Sequence, residues 1–134
     1  MTGNAFNTIG IIGAGAWGTA LAMVARRAGR EVVLQAHEPE VADAINRDHL
    51  NPVYLSGIAL DPAIRAVTDP ALAARADAVL LAMPAQHLRL LARTIAPAWR
   101  PGTPAVICAK GIEQDTGALL SEVLADELPS APVA

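Results

Sequence analysis

Short apolar runs alternate with longer stretches in which apolar residues recur at helical spacing. Thr8 to Ile12 is a β-branched run and predicts a first strand. From Ala16 to Ala28, the apolar positions Ala20, Leu21, Val24 and Ala28 predict a helix, which Gly29 closes. Glu31 to Ala36 reads as a second strand. Pro39 to Asp48 reads as a short helix, with proline in the first turn where a missing N–H costs little. Asn51 to Pro62 is loop, marked by Pro and Gly. Ile64 to Thr68 predicts a third strand, and Asp69-Pro70 opens a helix to about Ala76. Ala78 to Met83 and Ala105 to Ala109 are continuous apolar runs, the pattern of strands buried on both faces. Helices are expected over Ala85 to Trp99 and Thr116 to Leu128, and a sixth strand would start at Pro132.

This alternation predicts an α/β fold: a doubly wound parallel sheet with helices on both faces. Right-handed crossovers then favour the Rossmann-type dinucleotide-binding arrangement, with strand order 3-2-1-4-5.

Composition narrows the class. The 134 residues suit one domain, and 53% hydrophobic against 17% charged residues supplies a core. A net charge of −3 argues against a nucleic-acid partner. Apolar runs fall well short of the roughly 20 residues that span a bilayer. Gly3, Asn4 and Asn7 stand where a secretory leader would begin, which argues against one. Cys108 is the single cysteine and has no internal partner, so a reducing, cytoplasmic setting is expected. No metal-ligand spacing joins the three histidines and Cys108.

Between the first strand and the first helix lies GAGAWG. Gly13 allows a tight turn off the strand, Gly15 lets a pyrophosphate approach the backbone, and Gly18 lets the helix pack closely. The helix start then presents unpaired N–H groups and a partial positive charge to the anion. The second strand ends in LQAHEPE. His37 suits a 2′-phosphate and Glu38 suits ribose hydroxyls, so the pair leans to NADP(H) and allows NAD(H). Lys110, the only lysine beside nine arginines, sits just past the last buried strand, where open α/β sheets bind ligands. An ammonium there can bind an anion or polarise a carbonyl oxygen. Trp99 and Cys108 read as packing residues. Arg26, Arg27 and Arg30 read as a solvated face at a helix end. The stretch NPVYLSGI, residues 51–58, is distinctive and shows no evident chemistry.

Taken together, GAGAWGTALA, LQAHEPE, NPVYLSGI, MPAQHLR and CAKGIE resemble the bacterial-type NAD(P)-dependent glycerol-3-phosphate dehydrogenases, in order and over essentially the whole chain. The resemblance implies hydride transfer between NAD(P)H and dihydroxyacetone phosphate, giving sn-glycerol 3-phosphate for phospholipid synthesis. It implies that Ala16, Trp17 and His37 contact the cofactor and that Lys110 touches both cofactor and substrate. Met83, Pro84 and Gln86 match a turn along the nicotinamide half, with His87 flanking it. Ala16 stands where serine is more usual, and Ser56 where proline is more common. The family's proton-transferring lysine lies in a second, helical domain. Residues 1–134 are thus expected to be the cofactor half of a two-domain enzyme, homodimeric at full length and nearly inactive as this part alone. Two alternatives stay open: a reductase of the 6-phosphogluconate or hydroxyisobutyrate type, and a dinucleotide-binding module without catalysis.

Overall fold

A computed structural model describes residues 6–134. Gly3 and Asn4, on which the expectation about a leader rests, lie outside the described residues. Five strands form one parallel sheet: β1 (Thr8–Ile12), β2 (Glu31–Gln35), β3 (Arg65–Val67), β4 (Ala78–Leu81) and β5 (Ala105–Ile107). Their order is β3-β2-β1-β4-β5, as the alternation predicts. Helices α1 (Ala16–Arg27), α2 (Pro39–Asp48), α3 (Pro70–Ala74), α4 (Leu88–Ile95) and α5 (Leu120–Glu127) complete the layers.

The central strands carry apolar residues on both faces because both faces are covered. Ile11 and Leu34 pack with Val41, Ile45 and Ala22 on one side. Ile12, Val79 and Leu81 pack with Leu88, Ile95, Val123 and Leu124 on the other. On that second side Gly10 of β1 is indispensable. A Cβ there would overlap the Ala73 carbonyl oxygen, so α3 rests directly on the strand.

Some boundaries shift. The helix expected over Ala85 to Trp99 is α4 with a 3-10 turn at each end, Ala85–His87 and Ala96–Ala98. Pro97 lies in the second turn, where proline cannot supply an α-helical N–H. The last helix begins at Leu120 rather than Thr116. Residues 113–118 first close a turn in which the Thr116 hydroxyl donates to Glu113 and Gly117 takes φ 69°. Glu122 then accepts the Leu119 N–H at 2.9 Å and starts α5. The expected sixth strand is visible as a beginning. Val133 bridges Ala105 in parallel, and Ile107 N–H donates to the Ala134 carbonyl at 2.7 Å. Trp99 is buried, as expected, and its indole donates to the Thr103 carbonyl at 3.2 Å. Arg26 departs from a solvated face. It pairs with Asp61 at 3.2 Å and donates to the Arg30 carbonyl at 2.6 Å.

Candidate functional site

At the carboxyl ends of the strands lies a cleft of about 1580 Å³. It opens where strand order reverses between β1 and β4, because the crossovers there leave in opposite directions. Gly13, Gly15, Ala16, Trp17, His37 and Lys110 all line it. Gly18 is buried just behind. A smaller depression of about 500 Å³, lined by Asp77, Arg100 and Pro104, sits at the amino-terminal end of the sheet, away from these residues.

The glycine loop is built by exclusion. Gly13 has φ 109°, and a Cβ there would stand 2.8 Å from the Ala82 carbonyl oxygen. A Cβ on Gly18 would overlap the Gly13 carbonyl oxygen, which fixes how closely α1 approaches the turn. Gly15 is different. It has ordinary φ −71°, and nothing lies within 4 Å of where its Cβ would be. Its missing side chain serves open space, not the fold. Helix α1 starts here with no side-chain cap and no acidic residue in its first turn. Its first N–H groups and its positive dipole end are left for an anion. This donor set fits a pyrophosphate.

Trp17 is 59% exposed, so it is not a core residue. Its indole donates to the Cys108 carbonyl at 3.2 Å and ties the helix start to the end of β5. Cys108 is half-buried rather than fully buried, and burial raises its thiol pKa. Lys110 is exposed at the same end. The Gln86 amide braces the loop that follows it, donating to the Ile112 carbonyl and accepting the Gln114 N–H, both at 2.9 Å. Met83 and Pro84 line the neighbouring wall, with His87. At the opposite end of the cleft His37 is exposed, and the Glu38 carboxylate accepts a hydrogen bond from the Tyr54 hydroxyl. That bond, with nearby burial, raises the Tyr54 pKa.

The NPVYLSGI stretch thus acquires a role that sequence pattern did not reveal. Asn51 is fully buried. Its amide donates to the Ala14 carbonyl at 2.9 Å and to Thr19 Oγ1 at 3.0 Å. Its oxygen accepts the Tyr54 N–H at 3.1 Å. The loop is therefore stapled to the glycine turn. An Asn beside a Pro is a common turn signal, and nothing local marks its partners 37 and 32 residues away. Among the described residues no group of three or more His, Cys, Asp and Glu is placed to hold a metal, and no helix is long and apolar enough to cross a membrane.

The sheet order, the reversal-point cleft and the uncapped helix over an open glycine define a dinucleotide-binding domain of the doubly wound class. The family model for the NAD-dependent glycerol-3-phosphate dehydrogenase N-terminus matches residues 8–134, and the chain belongs to that family. The chain is 64% identical over 126 residues to the glycerol-3-phosphate dehydrogenase [NAD(P)+] of Paramagnetospirillum magneticum, covering 94% of this chain and 46% of that protein. It is 56% identical to the enzyme of the same name from Rhodospirillum rubrum, covering 94% of this chain and 36% of that one. The crystal structure of glycerol-3-phosphate dehydrogenase from Coxiella burnetii superposes with a TM-score of 0.87 at 28% identity, covering 96% of this chain and 40% of that one. The chain spans less than half the length of these relatives. A ketopantoate reductase from Ralstonia eutropha (TM-score 0.70, 23% identity, 94% of this chain and 39% of that one) shares the fold.

Proposed function

We propose that residues 1–134 are the cofactor-binding part of a cytoplasmic, homodimeric glycerol-3-phosphate dehydrogenase that uses NADP(H) or NAD(H). A helical domain beyond this chain would complete its substrate site. The reaction interconverts dihydroxyacetone phosphate and sn-glycerol 3-phosphate and so supplies phospholipid synthesis. The bound nicotinamide supplies or accepts the hydride. The rest falls to the protein's own groups. The α1 amides beside Gly15, Ala16 and Trp17 bind the pyrophosphate, replacing hydration with fixed donors. Gly13 and Gly18 keep that turn close to the sheet. Ala16 contributes only its backbone, where a serine would add a hydroxyl. His37 faces the adenosine end. Met83, Pro84 and Gln86 border the nicotinamide end, and Lys110 places positive charge where the substrate oxygen becomes an alkoxide.

One observation carries this reading: the helix start is uncapped and the space above Gly15 is open. The test is Gly15→Val. Its backbone is in a region open to any residue, and its Cβ meets no protein atom, so the variant keeps its fold. Titration of NADH and NADPH by nucleotide fluorescence should show binding to the parent chain and none to the variant, with equal unfolding midpoints. Unchanged affinity in the variant would overturn the assignment.

A further inference from the structure

The tip of β2 carries two groups with opposite demands. His37 is exposed and, when protonated, favours an anion. Glu38 is the next residue, and a carboxylate at this position repels a ribose 2′-phosphate. Both line the same cleft. With both side chains free, the carboxylate would cancel the attraction of the imidazole.

The two are not equally free. Glu38 Oε2 accepts the Tyr54 hydroxyl. The Tyr54 backbone is held in place, because its N–H donates to Asn51 at 3.1 Å and Asn51 is fastened to Ala14 and Thr19. The backbone that carries the phenol is thus anchored to the glycine turn, the part of the cleft that would seat the pyrophosphate. No comparable restraint acts on His37 among the described hydrogen bonds.

We infer that Tyr54 is a positioning residue for cofactor choice: it holds the Glu38 carboxylate aside, so that a 2′-phosphate can sit beside His37. This rests on the assignment of the cleft as a dinucleotide site. Three effects combine. The donated hydrogen bond draws charge density from the carboxylate, fixes its rotamer and occupies one of its two oxygens. A ribose with a free 2′-hydroxyl would use the Glu38 carboxylate as an acceptor, so holding that carboxylate aside gives it no advantage. The latch therefore favours NADP(H) and gives no gain to NAD(H). Specificity here comes from withdrawing a repulsive group rather than from adding an attractive one.

The experiment uses three variants: Tyr54→Phe, Glu38→Gln and both together, each titrated with NADPH and NADH. Tyr54→Phe keeps the ring and the Asn51 bond to its backbone, so folding is preserved, with thermal unfolding as the control. Expected is a loss of NADPH affinity of about fivefold or more, the scale of a like charge released near an anion at a solvated site, with NADH affinity unchanged or raised. Glu38→Gln should bind NADPH at least as tightly as the parent chain. In the double variant the Tyr54 effect should vanish, because the charge it restrains is gone. Equal weakening of both cofactors by Tyr54→Phe would overturn the inference. So would a Tyr54 effect that persists with Glu38→Gln, or no effect on the ratio at all. A parent chain that binds neither cofactor would instead overturn the dinucleotide assignment beneath it.

Discussion

Asn51 illustrates how much one residue can join. It satisfies one acceptor on the glycine turn, one on α1 and one donor on its own loop while fully buried. Removing it strands the buried Ala14 carbonyl, and an unpaired buried polar group costs about 1–3 kcal/mol. Asn51→Ala should therefore lower unfolding stability by that amount in urea titration and weaken both cofactors together. This differs from Tyr54→Phe, which should weaken only NADPH. A midpoint equal to the parent's would show the staple to be idle. The glycines divide in the same way. Gly10 and Gly18 are required by the fold, because backbone oxygens occupy the space a Cβ would need, whereas Gly15 is required by nothing in the protein.

At the scale of elements, α4, α5 and the loop after β5 are joined by charge. Arg89 bonds both carboxylate oxygens of Glu113, at 2.8 and 3.0 Å, and reaches Asp126 and Glu127 at 3.3 Å. Arg93 adds a second contact to Glu127 at 3.0 Å. The Arg89 and Glu113 side chains are 25% and 14% exposed, so the pair is screened less than a surface one. The Arg89 hydrogen bonds, with one from Thr116, hold the Glu113 carboxyl below the usual glutamate range. Arg93 does the same for Glu127. A depressed folded pKa means stability that is present above the unfolded value of about 4.3 and is lost as pH falls through the folded value. The thermal midpoint should drop on acidification from about pH 5 toward 3, and Glu113→Gln should flatten that slope. A parallel slope in the variant would remove Glu113 from the account. The same network and the Gln86 clasp brace the segment that carries Lys110, three residues before Glu113.

For the whole molecule, parallel strands carry all their carboxyl ends to one edge. That edge gathers the glycine turn from β1, His37 from β2, Met83 from β4 and Lys110 from β5. In the proposed function the charge on Lys110 acts on a bound substrate, so its test belongs to the proposed full-length enzyme. There Lys110→Ala should reduce kcat by about 10²–10³-fold, the usual cost of a removed oxyanion partner, while NADPH affinity changes far less. Near-normal turnover would refute the role. Strand order, helix count and the cleft's glycines were legible in the chain because each depends on local periodicity or on a short turn with strict sterics. The irregular stretches were not: 113–119 and 96–98 turn on single side-chain bonds and one proline, which periodicity does not register. Asn51 on Ala14, Trp17 on Cys108, Ala73 against Gly10 and Glu38 against Tyr54 join residues 16 to 91 positions apart. Those pairings follow from sheet register and from the way loops fold back over it. Only the assembled fold selects them, because hydrophobic pattern encodes which face a residue takes and not which distant residue it meets there.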